Sequence, residues 1–213
     1  MTNNHTIADA GLFQTMEERH SVKAYDPSVK IPEEELKQML EMSVTAPSSW
    51  NLQHWKFLVI DDEAQQEKLL PIAYGQKQVK DSAAVIGILG DIEANRNVEG
   101  IFTDAVKQGH LTEEIKEKIV GSINSLYEGD TSFPRDEAIL NASLAAMQLM
   151  LSARGMGYDT CPMGGFDRDA FIEAFHIPER YVPVMLVTVG KRETDPRVSS
   201  RLPLDEVVVR NSF

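Results

Sequence analysis

Between residues 134 and 154 the sequence runs Ala138-Ile139-Leu140-Asn141-Ala142-Ser143-Leu144-Ala145-Ala146-Met147-Gln148-Leu149-Met150-Leu151-Ser152-Ala153, apolar or small on nearly every side of the helix it predicts. A helix without a polar face must be covered all round. It is therefore either the central core helix of its domain or a helix whose outer side is closed by a second subunit. The small residues Ala138, Ala142, Ala145 and Ala146 permit close packing of whatever lies against them.

What surrounds that helix is polar and acidic. A formal net charge of −12 argues against general nucleic-acid binding, which draws its affinity from Lys and Arg at phosphates, so an anionic ligand must be met by local cations. No stretch approaches the roughly 18 consecutive apolar residues of a membrane span, and no membrane partner is expected. The first residues show no secretory pattern, and Cys161 is the only cysteine, so an internal disulfide is impossible and a reducing cytoplasm is the expected compartment. One cysteine and five scattered His offer no ligand spacing, and no metal is expected.

The 213 residues suit a single domain over the whole chain, 1–213, with a helical excursion at about 92–128. Periodicity predicts a first helix over 7–18, and Pro32 followed by Glu33, Glu34 and Glu35 opens a second that reaches Ser43. A buried strand follows over 56–60, then a helix from about 61 to 73 that Gly75 ends. Residues 76–81 read as a polar approach to a strand over 83–90 buried on both faces. The excursion reads as two surface helices, about 97–108 and 112–126. After the apolar helix come a glycine-rich connection, a helix over 167–175 capped by Asp167, a buried strand over 181–190 and a basic coil ending in an extended segment over 204–209.

Two segments carry a density of binding groups. Ala46-Pro47-Ser48-Ser49-Trp50-Asn51-Leu52-Gln53-His54-Trp55 has no charged side chain apart from a titratable His, and its hydroxyls and amides suit the edge of a polar heterocycle. It also fits a Ser/Asn-rich turn followed by two core Trp. Arg19-His20-Ser21-Val22-Lys23 places Arg19, Ser21 and Lys23 on one side of an extended segment, where they can meet a phosphate, or else form a solvated strand paired with nearby acids. The paired Gly164 and Gly165 leave backbone amides open to a ligand, or simply turn the chain before the next helix.

Hydrolase elbows, phosphate loops and dinucleotide fingerprints are missing, so no side chain is expected to act as catalytic acid, base or nucleophile. The remaining groups suit an anionic, planar cofactor that brings its own chemistry. The order Arg19-His20-Ser21-Val22-Lys23, then Ala46 through Phe57, then Pro162-Met163-Gly164-Gly165-Phe166, then Arg201-Leu202-Pro203-Leu204-Asp205-Glu206-Val207-Val208 resembles the FMN-dependent nitroreductase family, over nearly the whole chain.

That resemblance implies an α+β fold, a mixed central sheet flanked by helices in a domain-intertwined homodimer, with the apolar helix as the shared core. It implies FMN held by Arg19, His20, Ser21 and Lys23, by Gln78, by Pro162, Met163, Gly164 and Gly165, and by Arg201, with Pro47, Ser48, Ser49 and Asn51 coming from the opposite subunit. Many relatives carry an acidic residue where Gly164 stands. The implied activity is hydride transfer from NADH or NADPH through FMN to a nitroaromatic, quinone or similar small acceptor. Two alternatives stay open: a non-enzymatic flavin-binding or sensing protein, with Trp50, Phe102 or Phe133 covering the ring, and a flavin enzyme of this fold with another reaction, such as reductive dehalogenation.

Overall fold

The computed structural model describes residues 11–129 and 132–213. Helix α1 is Leu12–Glu18, so residues 7–10 of the expected first helix lie outside the described residues. Helix α2, Glu33–Ser43, starts behind Pro32 with three carboxylates in its first turn and buries Leu36, Met39 and Ser43. Strand β1 is Trp55–Ile60. Helix α3, Glu63–Ile72, is capped by the Asp62 carboxylate, which accepts from the Gln65 N–H at 3.0 Å. The polar approach of 76–81 contains a one-turn helix, α4, Gln78–Asp81, and leads to β2, Ala84–Asp91. The excursion is α5, Val98–Lys107, and α6, Glu113–Gly129. Then follow α7, Phe133–Gly155, β3, Asp159–Met163, α8, Arg168–Phe175, β4, Tyr181–Gly190, and α9, Leu204–Val207.

Three expectations need correction. Residues 204–209 do not form a simple extended segment: Pro203 fixes φ at −55° and Asp205 and Glu206 favour a first turn, so one helical turn forms before Val208 extends. The strand at 56–60 is only partly buried because it lies at the sheet edge, with Lys56 exposed and Phe57, Leu58 and Val59 half-buried. The glycine-rich connection after α7 begins as a strand, β3, which pairs with β4 from Asp159 opposite Gly190 to Met163 opposite Leu186.

The sheet has the order β1-β2-β4-β3 with antiparallel neighbours. Its parallel element is a bridge from Ser21 to Thr160, by which the basic segment joins the outer edge of β3. Central β2 is buried along its length, as its unbroken apolar run requires. On one face α7 and α2 pack over Ile86, Ile88 and Val187. On the other, Leu69, Phe171 and Ile177 close over Val85, Leu89 and Leu186. Each fully buried Ile or Leu among these contributes about 1.5–3 kcal/mol. Contact between α7 and β2 is close because both sides are small. A Cβ on Gly90 would lie 2.9 Å from the backbone oxygen of Ala138. Ser43 also donates to the Ala145 carbonyl at 2.8 Å, tying α2 to α7.

Helix α7 is thus the core helix, but not on all sides. Ala138, Ala142, Ala145, Ala146, Leu149 and Ala153 are fully buried, while Leu140, Leu144 and Met147 remain 55%, 42% and 38% exposed. A third, smaller core of Leu52, Ala94, Val98 and Ile123 lies beneath the excursion. Leu52 belongs to the Pro47 loop, so the loop and the excursion share one core.

Candidate functional site

The basic segment is fixed by its apolar members. Val22 and Tyr25 are each 1% exposed, and the Val22 N–H donates to the Thr160 carbonyl at 3.0 Å. The Tyr25 hydroxyl lies 2.9 Å from Thr188 Oγ1, and burial raises its pKa far above the ordinary phenol range. With Val22 turned inward, alternation turns its neighbours Ser21 and Lys23 outward, while Tyr25, which strict alternation would place on their side, is buried instead. Ser21 and Lys23 line a cleft of about 660 Å³ together with Cys161, Pro162, Arg197 and Ser199. Burial pushes the Cys161 thiol up, and the positive charge of Lys23 opposes that rise. Arg19 and His20 are half-buried at the end of α1, and His20 Nδ1 lies 2.9 Å from the Glu18 carbonyl.

The strand β3 alternates in the same way. Cys161 and Met163 are buried, Pro162 faces the cleft, and so Met163 offers a ligand its backbone rather than its side chain. Beyond it, a Cβ on Gly164 would meet nothing within 4 Å, and one on Gly165 would meet only Gln76 Nε2 at 3.9 Å. Neither glycine is needed for packing within the chain, and neither has positive φ. Open space over two bare backbone units is what a closely approaching planar ligand requires. Gln76 donates to the Gly165 carbonyl at 2.8 Å and its side-chain oxygen accepts from Gln78 at 3.1 Å. Gln78 is buried, so its reach toward a ligand runs through Gln76.

Arg201 is exposed, outside the lining of this cleft, and donates to the carbonyls of Ser199 at 3.2 Å and Ser200 at 2.9 Å. Pro47, Ser48, Ser49 and Asn51 do not line it either. Their loop is a separate construction. Trp50, Asn51 and Gln53 have φ of 51°, 57° and 56°, left-handed conformations that Asn tolerates but that cost Trp and Gln about 1–2 kcal/mol each. Four hydrogen bonds hold them there: Asn51 N–H to the Ser48 carbonyl at 2.9 Å, Gln53 N–H to Ser48 Oγ at 3.0 Å, Asn97 Nδ2 to the Leu52 carbonyl at 2.9 Å, and Ser49 N–H to Asn141 Oδ1 at 2.9 Å.

Asn141, Gln76 and Arg197 are therefore site or support residues that the sequence did not single out. An amide one turn into the apolar run of α7 was the available signal for Asn141. Gln76 and Arg197 carried none, since a glutamine in a polar approach and an arginine in a coil are ordinary. Among the described residues no cluster of three His, Cys, Asp or Glu could hold a metal ion, and no helix is long and apolar enough to cross a membrane. A second cleft of about 640 Å³ opens beside Lys56, Asp91, Arg180 and Tyr181, but the Arg180 guanidinium is already paired with Asp91, at 3.0 Å from Oδ1.

The Nitroreductase family profile matches residues 16–191. The Bacillus subtilis (strain 168) protein named "Putative NAD(P)H nitroreductase YodC" is 49% identical over 195 residues, 92% of this chain and 96% of its own. The CLA biosynthesis enone reductase of Lactiplantibacillus plantarum is 34% identical over 199 residues, 92% of either chain. A crystal structure from Exiguobacterium sibiricum 255-15, determined in complex with FMN, has a TM-score of 0.86 at 40% identity and covers 93% of this chain and 96% of that one. The profile match over most of the chain and these likenesses show it: the chain belongs to the nitroreductase family.

Proposed function

We propose that this protein is an FMN-dependent oxidoreductase that passes a hydride from NADH or NADPH to electron-poor conjugated acceptors such as nitroaromatics and quinones. The observation that carries this reading is a relative 40% identical over 93% of the chain that binds FMN. The residues present fit the cofactor: a cleft with Ser21, Lys23 and Arg197 in a protein of net charge −12, and beside it two glycines with nothing above them. FMN, when bound, supplies the ring that accepts and gives up the hydride.

The chain's own part is holding and electrostatics. Ser21 and Arg19 supply donors for phosphate and ribityl oxygens, Lys23 a fixed cation for the charge of the reduced state, and the amides of Gly164 and Gly165 donors toward the ring. Preorganised donors of this kind are worth a few kcal/mol. Gln76 keeps the Gly165 backbone in place. No side chain has to move a proton.

The active form is a homodimer. Leu140, Leu144 and Met147 on α7, and Leu12, Phe13 and Met16 on α1, leave a larger apolar surface than single exposed residues explain. The Pro47 loop lies outside its own chain's cleft and, by the family likeness, serves the partner's. A buried free thiol at Cys161 suits a reducing cytoplasm.

The purified protein should be yellow and release FMN on denaturation; a colourless protein that takes up no FMN sinks the proposal. Oxidation of NADH and NADPH should be followed with a nitroaromatic, a quinone and an α,β-unsaturated ketone. The last serves a second reading, activated-alkene reduction, favoured by the 34% identical enone reductase.

Arg201 should serve binding alone. Its guanidinium can grip phosphate through charge-assisted hydrogen bonds, so Arg201→Ala should weaken FMN by about 1.5–3 kcal/mol, one to two orders of magnitude. Turnover should recover at saturating FMN. Unchanged affinity in a titration of the flavin-free protein would remove Arg201 from the site.

A further inference from the structure

We infer that the hydrogen-bonded pair of buried His54 and half-buried Tyr127 is a positioning device that sets an aromatic wall, Phe133 and Trp50, beside the flavin loop and so determines the size of acceptor admitted. The inference rests on the reading above, that the Ser48 to Asn51 loop borders the cofactor.

His54 is fully buried just before β1, and its carbonyl accepts from the Asp91 N–H at 2.8 Å. Its ring Nε2 lies 2.8 Å from the Tyr127 hydroxyl near the end of α6. Its other ring nitrogen, Nδ1, is buried and has no hydrogen-bond partner among the described residues. Burial favours the neutral imidazole and the neutral phenol, against and with the field of the two carboxylates that face them, Glu137 and Asp91. Two neutral groups thus share one hydrogen bond inside an apolar core.

Tyr127 passes that position outward through rings. It meets Phe133, the first residue of α7, edge to face at 5.7 Å and 85°, and Phe133 meets Trp50 at 6.3 Å and 57°. Trp50 sits between Ser49 and Asn51, is 39% exposed and has φ of +51°. The sequence of contacts runs from the sheet, through the excursion and the start of α7, to the loop.

Packing alone gives no reason for this arrangement. An apolar pair would fill the core without burying an imidazole and a phenol hydroxyl, since the net gain from one hydrogen bond is only about 1 kcal/mol. A bulky Trp in left-handed backbone with its ring half in solvent is costly as well. Both costs fall on one line of contacts that ends at the loop. Places where local rules are broken in a consistent direction are where function sits. The acceptor class that such a wall grades is planar: one ring fits beside Trp50 and Phe133 more easily than two fused rings.

The test compares a one-ring benzoquinone with a two-ring naphthoquinone in the holoenzyme. Tyr127→Phe keeps the ring and removes only the hydroxyl. The ratio of kcat/KM for the two-ring to the one-ring acceptor should rise at least about threefold, through KM, with FMN affinity within about twofold of the parent. Phe133 is half-buried, so Phe133→Leu should fold and should move the ratio the same way. A ratio unchanged in both variants, with both acceptors slowed alike, would show a purely structural pair and overturn the inference. Acrylamide quenching in a Trp55→Phe background, where Trp50 is the only tryptophan, reads the coupling directly. Tyr127→Phe should raise the quenching constant by about half as the ring loosens from Phe133, and no change overturns the coupling. A parent that binds no FMN at all fails the flavin reading instead, and the quenching result tells the two failures apart.

Discussion

Leu144→Glu should yield a monomer that holds no flavin. Leu140, Leu144, Met147 and Leu151 follow one another at the 4-3-4 spacing that makes a single stripe along α7, and the first three are between 38% and 55% exposed in the isolated chain. The opposite side of the same helix is closed by the sheet and α2, so the stripe is the surface available to the proposed second copy. In a two-fold interface each substitution occurs twice. A carboxylate buried without a partner costs several kcal/mol. At about 3 kcal/mol for each of two sites, the dimer loses ~6 kcal/mol, about four orders of magnitude in Kd. The fold of the single chain should survive because Leu144 contributes little to its own core. Light scattering should therefore report the chain mass of 23.8 kDa rather than twice that value, with helical circular dichroism retained. FMN should be lost with the dimer, because in the proposed assembly the Pro47 loop serves the other protomer's cleft. A yellow dimer from the Leu144→Glu chain would mean that the flavin site is complete within one protomer and that α7 is covered by something else.

This helix was also the most legible part of the fold. Its composition leaves no polar side, so the need for cover on every face could be read directly, and the structure divides that cover between the sheet and the outside. Strand β2 was equally clear, because eight residues buried on both faces can carry no alternation. Strand β3 was hidden. Cys161-Pro162-Met163 followed by two glycines has the local chemistry of a turn, and only its pairing with β4, 25 or so residues further on, makes it a strand. The excursion's helices were found to within a few residues because their sparse apolar points keep helical spacing.

The site was legible as a set of residue types and not as a geometry. Ser21 and Lys23 turn out together because Val22 between them turns in, an alternation visible in the sequence, whereas the burial of Tyr25 two residues on departs from it. Met163 shows the limit: it lies among cleft residues in sequence, and its side chain belongs to the core. The loop conformation could not be read at all. Left-handed backbone is announced by glycine, and Trp50, Asn51 and Gln53 adopt it with no glycine among them. What forces them is non-local: Asn97 and Asn141, 45 and 92 residues from their partners.

That dependence makes Asn141→Leu the more informative loss of cofactor binding. The Asn141 side chain is 2% exposed; its Oδ1 takes the Ser49 N–H at 2.9 Å, and its Nδ2 is oriented by the Glu137 carbonyl at 2.7 Å and carboxylate at 3.1 Å. Leucine keeps the volume and removes the acceptor. The half-buried Ser49 N–H then has no replacement partner on α7, at a cost of about 1–3 kcal/mol. The loop meanwhile stores ~2–4 kcal/mol in the left-handed Trp50 and Gln53, which favours any relaxed alternative once one of its ties is gone. Asn141→Leu should lower Tm by roughly 4–8 °C for a chain of this length and weaken FMN by about tenfold to a hundredfold. The two effects can be separated at Gln53, whose strain a glycine removes without touching the groups assigned to the cofactor. Gln53→Gly in the Asn141→Leu background should recover part of Tm, because left-handed backbone then costs nothing there, while the Ser49 amide stays unanchored and FMN stays weak. Full recovery of FMN affinity by glycine would show that strain alone, and not the Asn141 tie, places the loop; FMN binding unchanged in Asn141→Leu itself would take the loop out of the cofactor site.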